Sequence, residues 1–224
     1  MLIPPAHFEP TALTTLAYIS GAIFILAGVC IAFNKTGRSV SLLLGFLLLL
    51  VFCFGFIPYE LTSNPNYLQF GEWENAEKEL ALAAGAFVIA GRFSGENKNF
   101  LAKLIPLGAI LFSLTMLCFG IDHFLDPKGV AGYMPTWIPY PIFGAYFCGT
   151  ALVGSAIAII LKTKPSLFAS LLGTMVFTWF IILHIPKVIA AQSAAEMRGE
   201  LTSAFLALAY SGIAFVIARS TKKQ

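Results

Sequence analysis

Seven stretches of nearly unbroken apolar sequence, at 11–33, 39–58, 72–91, 99–123, 141–161, 166–186 and 199–218, alternate with short polar connections. A helix that crosses the hydrocarbon of a bilayer needs about 20 such residues, and each stretch has a length that spans with modest tilt. Inside lipid the backbone must satisfy its own hydrogen bonds, which leaves helices or closed barrels. Barrel strands alternate apolar and polar residues, and these stretches do not. Composition agrees: 58% of the 224 residues are apolar and 11% charged, with a mean hydropathy of +0.83. A soluble domain carries about 25% charged residues, so this chain could not cover itself in water. The expected fold is an all-α polytopic membrane bundle of about seven transmembrane helices.

The third stretch is the least regular. Its continuous run, 80–91, is short, and Glu72, Glu74, Glu77, Lys78 and Glu79 crowd its beginning. Those acids could attract cations, but a solvated helix start is the simpler reading. Ala81, Ala83, Ala84, Gly85 and Ala86 suit close helix packing in a membrane. With seven helices, four basic clusters share one side: Lys35 with Arg38; Arg92, Lys98 and Lys103; Lys162 with Lys164; and Arg219, Lys222 and Lys223. Basic connections stay in the cytoplasm, which puts the N-terminus outside and the C-terminus inside. The first ten residues hold no Lys or Arg, so no cleaved signal peptide is expected. Cys30, Cys53, Cys118 and Cys148 lie singly in apolar segments and read as small hydrophobes. No basic run points to nucleic acid.

An internal correspondence organises the chain. Residues 17–92 match 145–220 at a constant offset of 128. Ala17, Tyr18 and Gly21 match Ala145, Tyr146 and Gly149; Leu43, Leu44 and Gly45 match Leu171, Leu172 and Gly173. Ile57 and Pro58 match Ile185 and Pro186, Gly71 and Glu72 match Gly199 and Glu200, and the pentapeptide 86–90 recurs at 214–218. Matching helices are four apart in order, so the units share orientation, a parallel repeat. The expectation is a degenerate three-helix unit at 1–98 and a complete four-helix unit at 99–224. The first unit lacks its opening helix, of which 2–10 is a remnant.

Ionisable residues near membrane depth are functional candidates, and those of the second unit gather toward the outer face. Asp122 and His123 end the fourth helix. His184 and Lys187 share a face near the outer end of the sixth. Glu200 opens the seventh, where the helix dipole favours a carboxylate. Two imidazoles and a carboxylate can bind a metal, relay protons or hydrogen-bond a quinone-like head group; the plain alternative is interfacial anchoring. His184 corresponds to Phe56, so any such site is asymmetric. In the connection at 126–141, prolines stiffen the chain and Tyr133, Trp137 and Tyr140 suit the headgroup layer. It is either a lid over a lipophilic pocket or an aromatic anchor. Trp73 and Trp179 read as packing residues. No nucleotide-binding, metalloprotease or nucleophile-elbow motif is present.

The second unit resembles the DoxX family of bacterial membrane proteins. The likeness rests on the run at 120–124 with Pro127, on 130–139, on 145–149, on 183–188, and on Gly199 with Glu200. It covers 99–220 and, more faintly, 11–92. The first unit departs from the pattern, lacking the His-bearing helix and holding Phe56 in place of His184. It keeps the family-like Glu72–Trp73 pair where the second unit has Glu200 and Leu201. The resemblance implies a small multi-pass bundle in the bacterial cytoplasmic (inner) membrane. Some such proteins are associated with thiosulfate:quinone oxidoreductase or with redox and oxidative-stress complexes. By that analogy His123, His184 and Glu200 fall on the family's polar positions.

Three functions compete. One is a membrane subunit of a redox system that binds a quinone or other lipophile beneath the 126–141 connection, with a redox protein or a second copy of the chain as partner. It has no self-sufficient catalytic activity. Another is a non-enzymatic partner or assembly factor. The third is a small-molecule transporter, disfavoured because the spans show no midplane charge and no paired mid-span Gly or Pro breaks.

Overall fold

The computed structural model describes residues 10–33, 36–95 and 100–221. Lys35, Lys98, Lys222 and Lys223, and all but the last residue of the 2–10 segment, lie outside them. The described chain is helical, with no strand. Ten α-helices follow in order: α1 Pro10–Ala32, α2 Gly37–Val51, α3 Ile57–Thr62, α4 Glu74–Ala90, α5 Leu107–Leu125, α6 Pro127–Gly132, α7 Pro141–Ile160, α8 Pro165–Trp179, α9 Ile185–Ala190 and α10 Ala194–Thr221. Six continuous helical stretches are long and apolar enough to cross a membrane: Thr14–Ala32, Gly37–Thr62, Leu107–Leu125, Pro141–Ile160, Pro165–Ala190 and Ala194–Thr221. Large apolar side chains such as Tyr18, Ile25, Leu43 and Phe54 face outward. Water would not tolerate so much exposed apolar surface, and the chain is a membrane protein.

Helix α4, with 17 residues, is shorter than these six. Its start is not uniformly solvated, as the acidic composition suggested. Glu74 is exposed and pairs with Lys78 at 2.7 Å, but Glu79 is 2% exposed. The fourth apolar stretch also starts later than its hydropathy indicates. Residues Phe100–Leu104 form a 3₁₀ turn and α5 begins at Leu107, because Pro106 withholds an amide from the preceding turn. The seventh starts earlier, at Ala194. Ser193 Oγ accepts from Glu196 N at 3.1 Å, and Glu196 Oε2 accepts from Gln192 N at 2.9 Å. That is a near capping box, and it fixes the start of the helix. Glu200 therefore sits in the second turn of α10 and does not open it.

The spans at Gly37–Thr62 and Pro165–Ala190 are not regular α-helices throughout. Each contains a π-helical turn, Phe52–Phe56 in one and Phe180–His184 in the other. Ile57 N bonds Phe52 O and Ile185 N bonds Phe180 O, five residues back. The prolines explain both. Pro58 and Pro186 have no N–H for the carbonyls of Phe54 and Ile182, and their rings crowd that turn; the ladder relaxes to the wider spacing. These bounds coincide at the offset of 128: α2, its π turn and α3 superpose in number on α8, its π turn and α9.

Contacts group into two compact units, Met1–Phe112 and Ser113–Gln224. In the first, α2 packs on α4. A Cβ on Gly45 would come within 2.9 Å of the Phe87 ring and 3.1 Å of the Ala83 carbonyl oxygen. Leu42, Phe87, Ala90 and Ala102 form the core there. In the second, α8 packs on α10 by the same device: Gly173 faces Phe215, whose ring would lie 3.0 Å from an added Cβ. Gly173 and Phe215 are the offset partners of Gly45 and Phe87. Ser211 Oγ also donates to Gly173 O at 2.9 Å.

Gly45→Ala is expected to destabilise the protein by about 1–3 kcal/mol, the usual range for forcing carbon into a close-packed contact. Gly28→Ala should be near neutral, since nothing lies within 4 Å of that position. Thermal unfolding of both variants in mild detergent checks the contrast.

Candidate functional site

In the second unit, the residues singled out from sequence separate into two groups. His184, Lys187 and Glu200 come together. Lys187 Nζ lies 3.9 Å from Glu200 Oε1, and His184 feels the charges of both. The π turn that ends at His184 sets where this imidazole points relative to Lys187 on α9. The His184 Nδ1 atom is buried and has no hydrogen-bond partner among the described residues. Lys187 also sits 4.2 Å above the centroid of the Tyr133 ring. Tyr133 follows α6, the short helix started by Asp126, whose Oδ1 accepts from Gly129 N at 2.9 Å. The connection at 126–141 is thus partly helical, and Tyr133 contributes a cation–π contact in addition to aromatic surface.

His123 bonds its own helix, and Trp137 is exposed. His123 Nδ1 lies 2.7 Å from Phe119 O, one helical turn back. A carbonyl oxygen only accepts, so Nδ1 carries the proton and in the neutral ring Nε2 is the acceptor. Gly149 on α7 leaves room for this residue: a Cβ there would stand 2.8 Å from His123 Cβ. Asp122 is half-buried on the same turn, its carbonyl accepting from Asp126 N. Trp137 is 67% exposed, as an aromatic anchor would be. Among the described residues no group of three His, Cys, Asp or Glu side chains is arranged to hold a metal ion.

The sequence offered a lipophilic pocket beneath the 126–141 connection but not its walls: an apolar groove of about 420 Å³ lies between α7, α8 and the end of that connection. Phe143 and Phe147 of α7, Met175 and Trp179 of α8, and Ile138 with Pro139 line it. Trp179, expected to be a packing residue, is a wall of the groove, which Cys148 also lines. Ile182 lines the same groove and stands two residues before His184, so the groove and the polar group share the π turn. Clefts of this size with an apolar wall and few polar groups are usual for small-molecule sites.

The first unit holds a different polar arrangement, also missed. Asn64 Nδ2 donates to Glu60 Oε2 at 2.6 Å and to Glu72 Oε2 at 3.2 Å, and Glu60 is 3% exposed. Trp73 Nε1 donates to Tyr67 O at 2.9 Å. An acid followed four residues later by Asn was the one available signal for this pairing, and it is a weak one.

No protein-family model, curated protein or solved structure matches this chain.

Lys187→Met should reduce stability by no more than about 1 kcal/mol, given a part-exposed ion pair and one cation–π contact. Tyr133→Phe should be neutral and Tyr133→Leu should cost about half that. In the Lys187→Met background Tyr133→Leu should cost less still, because the shared contact is already gone; a double-mutant cycle by thermal unfolding measures the difference.

Proposed function

We propose that this chain is a DoxX-like protein of the bacterial cytoplasmic membrane, a non-catalytic membrane subunit that holds a quinone or similar lipophile for a redox partner. The groove carries this reading. It offers an apolar channel for a lipophilic tail, and its wall residue Ile182 belongs to the π turn that ends at His184, whose Nδ1 is buried without a partner among the described residues. A quinone carbonyl accepts a hydrogen bond and a quinol hydroxyl donates one; a neutral imidazole does either through its tautomers. Ile138 and Pro139 at the groove wall support the connection at 126–141 as its edge. Electrons come from the partner, and the chain contributes binding and orientation.

In this proposal α4 is a seventh span, lengthened by the 3₁₀ turn at Phe70–Trp73. The chain then comprises two parallel units, the first without its opening helix. The coincidence of element bounds and of the two glycine–phenylalanine contacts at one offset supports that reading. Basic connections on one side put the N-terminus outside and the C-terminus in the cytoplasm. Single cysteines at Thr163 and Ser193, in a background without the four native cysteines, should label from the cytoplasmic and external faces respectively. Labelling of both from one face would remove the topology.

The paired π turns give transport a specific argument, since interrupted helices at matching positions can mark a transporter site. They lie toward one end of each span, however, and neither turn places a charge at mid-span. Binding without translocation is therefore preferred.

The ligand test uses Trp179. With Trp73 and Trp137 replaced by Phe, decyl-ubiquinone should quench the remaining emission saturably. His184→Ala should weaken binding about tenfold, the loss of about 1.4 kcal/mol. Absence of saturable quenching in the His184-containing protein would remove the quinone reading.

A further inference from the structure

A second cavity, of about 470 Å³, lies within the first unit where the span Gly37–Thr62 begins and α4 ends. Its wall consists of two short stretches, 36–39 and 92–94. They bring Arg38 and Arg92 to one cavity with the hydroxyl-bearing residues Thr36, Ser39 and Ser94. No carboxylate is among the described lining residues. Phe93 also lines it, its ring lying directly over Gly37, where any side chain would collide with it.

Arg38 is positioned and not loose. Its Nη1 donates to Phe93 O at 2.8 Å, and its side chain passes so close to Gly95 that a Cβ there would approach Arg38 Cδ to 2.8 Å. Gly95 also has a φ of +157°, near the limit of what a side chain tolerates. A guanidinium has five N–H donors in a planar fork, and the bond to Phe93 O uses an Nη1 donor of Arg38. Two such forks in one polar cavity match the geometry of phosphate oxygens. Thr36 makes no side-chain cap on α2, so the amides of that helix's first turn add to the positive end of a 15-residue helix.

We infer that this cavity binds a phosphate group, and that its source is the headgroup of an anionic phospholipid. The position favours a lipid over a free anion. From the cavity, the outward face of α2 continues as Leu43, Leu47 and Leu50 and then Phe54, all exposed. These recur at roughly one side of the helix, an apolar track along which acyl chains can lie. Phosphate and tail are thus recognised together. The inference is independent of the groove in the second unit. There the offset partners of Arg38 and Arg92 are Ser166 and Ser220, so the cationic pair belongs to the first unit alone.

The test measures thermal stabilisation of the full chain in neutral detergent on adding short-chain phosphatidylglycerol, short-chain phosphatidylcholine or inorganic phosphate. Saturable stabilisation by phosphatidylglycerol, tenfold weaker in Arg92→Gln and in Arg38→Gln, and weak for phosphatidylcholine, supports the lipid headgroup. Equal stabilisation by inorganic phosphate with the same arginine dependence would overturn the lipid source and keep the phosphate site. Arg38→Gln also loses the bond to Phe93 O and is open to misfolding, so the unaltered protein supplies a second measurement. Its affinity for phosphatidylglycerol should fall several-fold between about 0.05 and about 0.5 M salt, as screening requires. No saturable effect of any anion, or affinity unchanged by Arg92→Gln and by salt, would overturn the inference.

Discussion

The close approach of α2 to α4 in the first unit, and of α8 to α10 in the second, is the contact on which the rest depends. In lipid, apolar burial does not drive helices together, because hydrocarbon surrounds them in either state; tight packing does. Gly45 against Phe87 and Gly173 against Phe215 provide it. Each glycine removes the one side chain that would hold the helices apart, and each phenylalanine fills the space so made. The opposite faces of α2 and α8, with Leu43 and Leu171, are then left outward. In the second unit the Ser211 hydroxyl reinforces the approach by bonding Gly173 O. Its offset partner in the first unit is Ala83, and Gly45 meets that residue's bare carbonyl oxygen.

Hydropathy alone located the helical segments because lipid imposes a length and an apolar surface on every span. The offset of 128 was legible because identical packing contacts demand identical residues: the Leu-Leu-Gly runs and the matched pentapeptides supply the glycine and the phenylalanine just described. Boundaries were less legible. Hydropathy does not register that Ser193 and Glu196 start α10 two turns before its apolar run, or that Pro106 delays α5. The Ile-Pro pairs were visible as matches, but their effect, a widened turn in a continuing helix, depends on how the backbone relaxes around a missing N–H.

The candidate site was partly legible for the same reason. His184 and Lys187 are local neighbours, and their proximity follows from helical spacing. Glu200 and Tyr133 reach Lys187 from other elements, and nothing in the order of residues reports that approach. Asp122, His123 and Trp137 had equal standing by composition. His123 instead spends Nδ1 on its own helix, and Trp137 lies exposed. The groove was invisible because its walls are ordinary apolar residues; only the spacing between α7 and α8 makes them a cleft.

The two units use one scaffold for different polar work. At matching positions the first has Arg38, Phe56, Tyr59, Glu60, Glu79 and Arg92 where the second has Ser166, His184, Lys187, Val188, Ala207 and Ser220. The bounds of α2, its π turn and α3 agree with those of α8, its π turn and α9 despite the exchanges at 38, 56, 59 and 60. Apolar residues at 188 and 207 show that the scaffold tolerates the loss of both buried carboxylates, and leaving Glu79 Oε1 buried without a partner is costly. Gly45 with Phe87 and Gly173 with Phe215 stay fixed at the offset of 128 while the polar residues at these positions are exchanged.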